Sequence, residues 1–230
     1  MLLWPSISWT TFGCSPAWSS KYHGELVDDG AELRVLFDIF NFEFDPGDPR
    51  IPKEWAARIE LRNNEVGAGA VRVALYLAPG DRPDGLRFAE QAVVVHRDTK
   101  HVHERFADAI QFAARELQGM IVHLQEFAAL NVQYPETVLA ALRRRWELPE
   151  YLGEAILRAF QAMPGRTGAY LIWALLEAPK HLPADRAIPY ELQLQLYDIA
   201  AWLATKAGRE WIDQLPDPVQ QAQLSFLQIA

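Results

Sequence analysis

The spacing of hydrophobic and polar positions changes near residue 98, and the change splits the chain into two regions. Upstream, apolar and polar residues alternate with period two, as in strands that present two different faces. Leu33–Phe44 (LRVLFDIFNFEF) is rich in β-forming residues, and Phe40, Phe42 and Phe44 alternate with Asn41 and Glu43. Asp45-Pro46-Gly47-Asp48-Pro49 then ends the run with residues suited to turns. The stretch from Ile59 to Ala74 (IELRNNEVGAGAVRVA) alternates, turns through asparagine and glycine, and alternates again. Ile59 and Leu61 point one way, and Arg58, Glu60 and Arg62 the other. Beyond Gly67 and Gly69, Val71, Val73 and Leu75 resume the inward phase with Arg72 outward. The segment therefore predicts a hairpin whose arginines share the face opposite the core. A loop from Ala78 to Gly85 and a further strand over Gln91–Arg97 complete the region.

Downstream, Val102, Phe106, Ile110, Ala113, Leu117, Ile121, Leu124 and Ala128 recur at helical spacing. They predict a helix of about eight turns, with Asp98 or Thr99 as its cap. Pro135, Pro149 and Pro189 each stand near the head of a helix-like run, where a missing N–H costs nothing. Helices are expected over 136–147, 150–163, 168–178 and 190–206, punctuated by Pro164-Gly165 and by Pro179–Pro183. The expected class is α+β: an N-terminal antiparallel β-sheet followed by a long helix and a C-terminal helical bundle. Residues 1–97 are mainly β and 98–230 mainly helical, within one compact domain.

Composition supports a packed core, since half of the 230 residues are hydrophobic and eight are tryptophan. The net charge of −8 disfavours global attraction to nucleic acid or anionic lipid. It is spread unevenly, at −6 over residues 1–49, +2 over 50–115 and −4 over 116–230. Cys14 is the sole cysteine, which excludes an intramolecular disulfide and a cysteine-rich zinc site and fits a reducing cytoplasm. MLLWPSISW lacks a basic n-region and is broken by Pro5, so it is not read as a signal peptide. No apolar run reaches the roughly 18–20 residues of a membrane helix. A cytoplasmic protein without a membrane partner is expected.

Candidate chemistry is sparse. His96, His101 and His103 form the densest set of potential metal ligands. On one helix, residues 101 and 103 project about 200° apart and cannot share an ion, so no metal site is assigned. His123 and Glu126, with Glu116 before them, have a spacing that builds carboxylate-bridged sites when a second such helix faces them. The Glu-x-x-His order that such sites use occurs nowhere in the chain. Gly-x-Ser-x-Gly, His-Glu-x-x-His and a Walker loop are all missing, and GAGA at 67–70 lacks dinucleotide-binding spacing. An enzyme is left without support, no catalytic residue is assigned and no cofactor is expected. Arg143-Arg144-Arg145-Trp146 pairs a basic run with an aromatic ring, as in sites that grip a phosphate backbone and stack bases. At a helix end the same arginines would also offset its dipole. Arg58, Arg62 and Arg72, with Arg97, are the other candidates for phosphate contact.

The order of features resembles a known family. The turn Asn63-Asn64-Glu65-Val66-Gly67 leads into an alternating strand and an Arg-x-x-Gly-Leu segment, Arg82–Leu86. A strand ending at His96-Arg97, a long helix and the late helix from Gly168 to Glu177 follow. This looks like the phage/plasmid-like protein family of unknown function (domain of unknown function nine-three-two), over about residues 50–205. The second segment lacks the family's cysteine, and the late helix keeps only Ala174 and Glu177 of its Asn-Ala-x-Thr-Glu pattern. The resemblance implies a mobile-element origin and a sheet-then-helices fold, with no established activity. Three functions follow as expectations. The first is a phage- or plasmid-derived accessory protein that binds or anneals single-stranded nucleic acid, with homo-oligomerisation in view. The second is a protein-interaction module that inhibits a host or defence protein. The third is a metal-dependent enzyme built on His96, His101 and His103.

Overall fold

Among the described residues five strands form a single antiparallel sheet in sequence order: β1 (Tyr22–Val27), β2 (Glu32–Glu43), β3 (Glu54–Asn64), β4 (Ala70–Pro79) and β5 (Leu86–Val95). Each pairs with its neighbour in the chain, so hairpins alone connect the sheet. The computed structural model describes residues 22–27, 32–64, 70–80, 82, 85–95, 102–183 and 188–216. Asp98, Thr99 and the turn residues Glu65 and Gly67 lie outside them, while Asn63 and Asn64 close β3.

The register decides which residues share a face. Asp38 stands opposite Arg58, Arg58 opposite Tyr76, Arg62 opposite Arg72 and Tyr76 opposite Arg87. One face thus carries the charged residues, and the other carries Val35, Phe37, Ile59, Leu61, Val73, Leu75 and Leu77. The arginines do share a face, as their spacing predicts. That face is not the outer one along its centre. Arg58 and Glu60 are 0% exposed, and Arg34 and Arg87 are buried beside them. Helix α5 (Tyr190–Leu203) closes part of this face by packing against β5, bringing Asp198 to Arg87 and Tyr197 to Tyr76, whereas Arg58 bonds to Asp38 and to the carbonyls of Gly80 and Arg82. Of the expected outward set, Arg58 is buried, Arg62 half-buried and Arg72 exposed.

The remaining helices are α1 (Val102–Ala128), α2 (Pro135–Arg145), α3 (Glu150–Gln161), α4 (Gly168–Glu177) and α6 (Lys206–Asp213). Pro135 is the first residue of α2, and Pro149 and Pro189 immediately precede α3 and α5. With 27 residues, α1 runs for about 40 Å and meets β3, β4 and β5. Residues 168–176 of α4 are buried on every side, so this helix is central to the helical region. A Cβ at Gly168 would lie 2.0 Å from the Phe127 carbonyl oxygen, which is how α1 and α4 come into backbone contact. Buried side chains from β2–β5 and α1–α5 join in one hydrophobic core. Among the described residues no helix is long and apolar enough to cross a membrane.

Candidate functional site

Two arginine-rich regions result, and they differ in accessibility. In the first, on the sheet face that α5 partly covers, opposite charges alternate across the sheet. Arg34 Nε donates to Glu60 Oε1 at 2.5 Å, and Arg87 Nε donates to Glu60 Oε2 at 3.1 Å. Arg87 Nη1 continues to Asp198 on α5, at 3.0 and 3.1 Å from its two oxygens. Arg58 Nε donates to Asp38 at 2.5 Å, and its other nitrogens donate to the carbonyls of Gly80 and Arg82. The Arg34 guanidinium also lies 5.2 Å from the centre of the Tyr76 ring.

Burial opposes the charge on Arg87, but the carboxylates of Asp198 and Glu60 outweigh it and raise the guanidinium pKa above its ordinary value. Burial, reinforced by the Glu60 charge, pushes the Tyr76 hydroxyl well up, and that hydroxyl has no hydrogen-bond partner among the described residues. Closed and internally matched, this region fixes α5 on the sheet and is no surface for a phosphate. Arg58, an expected phosphate contact, is therefore reassigned as an internal partner of Asp38. Arg62 lies 5.9 Å from the Tyr190 ring centre, and Arg97 lies outside the described residues.

The Arg82–Glu177 junction was not foreseen from the sequence. Arg82, in the β4–β5 connection, donates to Glu177 at the end of α4 and lies 5.1 Å from the centre of the Trp173 ring. Lys180 adds a bond of 2.9 Å to the same carboxylate. Burial would raise the Glu177 pKa, but hydrogen bonds from Lys180 and Arg82 lower it on balance. The β4–β5 connection and the end of α4, some 95 positions apart in sequence, thus meet in space.

The second region is open. Arg143, Arg144 and Arg145 form the last turn of α2 and are all exposed. Trp146 caps the helix, and Glu147 reverses the chain at a φ of 52°. Arg145 stacks over Trp202 of α5, with its guanidinium carbon 4.6 Å from the ring centre. Trp202 meets Trp146 edge-on at 6.0 Å and Trp211 of α6 at 5.3 Å, and all three rings are half-buried. Gln195 Nε2 donates to the Trp146 carbonyl at 2.8 Å, which ties α2 to α5. Among the described residues the ion pair of Arg143 is a long one, with Glu150 at 3.7 Å. The result is a cationic corner backed by three indoles, two of which, Trp202 and Trp211, had no signal in the sequence linking them to the arginine run.

The metal candidates fare differently. His96 and His101 lie outside the described residues, and His103 is described only as part of α1. His123 and Glu126 do meet, at 3.3 Å, but Arg209 of α6 takes the same carboxylate at 2.5 Å. The hydrogen bond with His123, followed by that from Arg209, holds the Glu126 pKa below its ordinary value. Among the described residues no group of three His, Cys, Asp or Glu could hold a metal ion. No family model matches the chain, and comparisons with curated proteins and with solved structures find no match.

Proposed function

We propose that the chain is an accessory protein of phage or plasmid origin that binds single-stranded nucleic acid in the cytoplasm. Its contact surface is the corner formed by Arg143, Arg144, Arg145 and the Trp202 ring. One observation carries this reading: three exposed, consecutive arginines stand beside half-buried indoles, one already stacked on a guanidinium. Arginine neutralises phosphates whatever the base, and an aromatic face accepts any unpaired base. The net charge of −8 favours a local contact over a broad one, with affinity that falls steeply with salt. A gel shift on a single-stranded oligonucleotide at about 50 mM salt tests it, because the phosphate contribution is strong there. A complex is expected, and its absence removes the reading.

A second reading is a protein-interaction module directed at a host or defence protein. It is favoured by Phe112 and Val122 of α1, which are 50% and 48% exposed. Under it, Phe112→Glu abolishes recovery of a specific host partner, whereas the Arg143–Arg145 substitutions leave that recovery intact.

A further inference from the structure

The edge of the sheet is turned inside out. Along β2 the charged residue Arg34 is 3% exposed, whereas Leu33 and Phe40 are 41% and 38% exposed. Val35, Phe37 and Phe42, on the same side as those two, are half-buried. Gly24 of β1 stands opposite Val35 on that side, and a Cβ built there would have no atom within 4 Å. The described positions on this side of β2 therefore form an open apolar row, continuous with the core through Phe37 and Phe42. On β3 and β4 the equivalent side is closed, with Ile59 at 3% and Val73 at 0%. Apolar area of this kind gains free energy by being covered, and no described element covers it.

We propose that the chain's own segment Met1–Lys21 lies over this row. The connection leads to the right place. Tyr22, the first residue of β1, pairs with Phe37, so β1 begins toward the Phe40–Phe42 end of the row. The composition fits too. Lys21 is the sole charged residue of the segment, which supplies Leu2, Leu3, Trp4, Ile7, Trp9, Phe12 and Trp18. A row of leucine and phenylalanine offers no partner for a charge, so an uncharged, indole-rich strip suits it where a typical charged surface would not. Reach is ample: 21 residues span up to about 70 Å, and the row from Leu33 to Phe42 is about 30 Å long.

Cys14 lies within the segment and is the only thiol in the protein, so a benzophenone maleimide attached to the full chain reports where the segment sits. Irradiating an equal mixture of ordinary and nitrogen-15-labelled chains, then mapping the peptides, separates links within a chain from links between chains. The proposal expects links from Cys14 to peptides of β2 within one chain. Leu33→Glu with Phe40→Glu, at two exposed positions, should lower their yield by about tenfold. Links to β2 of another chain would make a second copy the occupant and overturn the proposal, as would links that bypass β2. The wild-type map decides the matter even where the double variant folds poorly.

Discussion

Arg34, Arg58 and Arg87 lie buried on one face of the sheet, each bonded to a carboxylate, whereas Arg143, Arg144 and Arg145 face outward from the last turn of α2. The first set is matched by Glu60, Asp38 and Asp198, because an ion removed from water must be met by an opposite charge and by hydrogen bonds. The second set sits in a high-dielectric environment where such matching gains little, and its arginines keep most of their capacity to bind something else. Side-chain chemistry alone does not distinguish the two sets. What separates them is whether another element covers the face on which they lie.

The largest effect expected from this contrast follows Glu60→Ala. It leaves Arg34 and Arg87 buried without their shared carboxylate and should cost about 3–5 kcal/mol in urea denaturation. A loss below about 1 kcal/mol would mean the cluster is hydrated and the contrast false. Arg58→Leu should cost about 3 kcal/mol by stranding Asp38, and adding Asp38→Asn should recover part of the loss, a coupling that a double-mutant cycle reads directly.

Arg50 stands between the two classes, being half exposed but bonded to the buried Asp48 and to the carbonyl of Ala162. The hydrogen bonds from the Arg50 side chain and backbone hold Asp48 at about 2, below the ordinary 3.8. A carboxylate with a lowered folded pKa stabilises the protein above its unfolded value, and that contribution disappears as pH falls through the folded one. Stability should therefore drop between about pH 4 and about pH 2, and Asp48→Asn should flatten that part of the curve. At the exposed corner the effects are smallest. Arg145→Ala should cost about 0.5–1 kcal/mol through its stack on Trp202, and Arg144→Ala should stay within about 0.5 kcal/mol.

Much of the fold was legible because its periodic segments are long. The helix expected over 150–163 is Glu150–Gln161, and that over 168–178 is Gly168–Glu177. Two elements carried too little pattern to be read. In β1, Gly24 interrupts a run of only six residues. In α6, the eight residues KAGREWID offer one short apolar pair. The helix expected over 190–206 stops at Leu203 because Thr205 starts α6, its Oγ1 accepting the Gly208 N–H at 3.2 Å.

Strand alternation correctly placed Arg58, Arg62 and Arg72 on one face, yet it says nothing about a helix more than a hundred residues later that covers part of it. A usable sign was present in the polar phase of the strands, where Arg34, Asp38, Arg58, Glu60 and Arg87 mix both charges as a buried network needs. At the α2 corner the arginine run was visible, but its contact with Trp202 spans 57 positions and depends on how α5 docks.

Fluorescence anisotropy of a labelled single-stranded oligonucleotide, titrated at several salt concentrations with the wild type and with Arg143→Ala/Arg144→Ala/Arg145→Ala, tests the central claim most directly. Each phosphate contact on a single strand contributes about 0.7 to the slope of log affinity against log salt. The wild type should bind with a clear slope, and the triple variant should bind more weakly with a slope smaller by about 2. An unchanged slope in the triple variant, or no binding by the wild type at about 50 mM salt, would contradict the assignment of the open arginines as the contact surface.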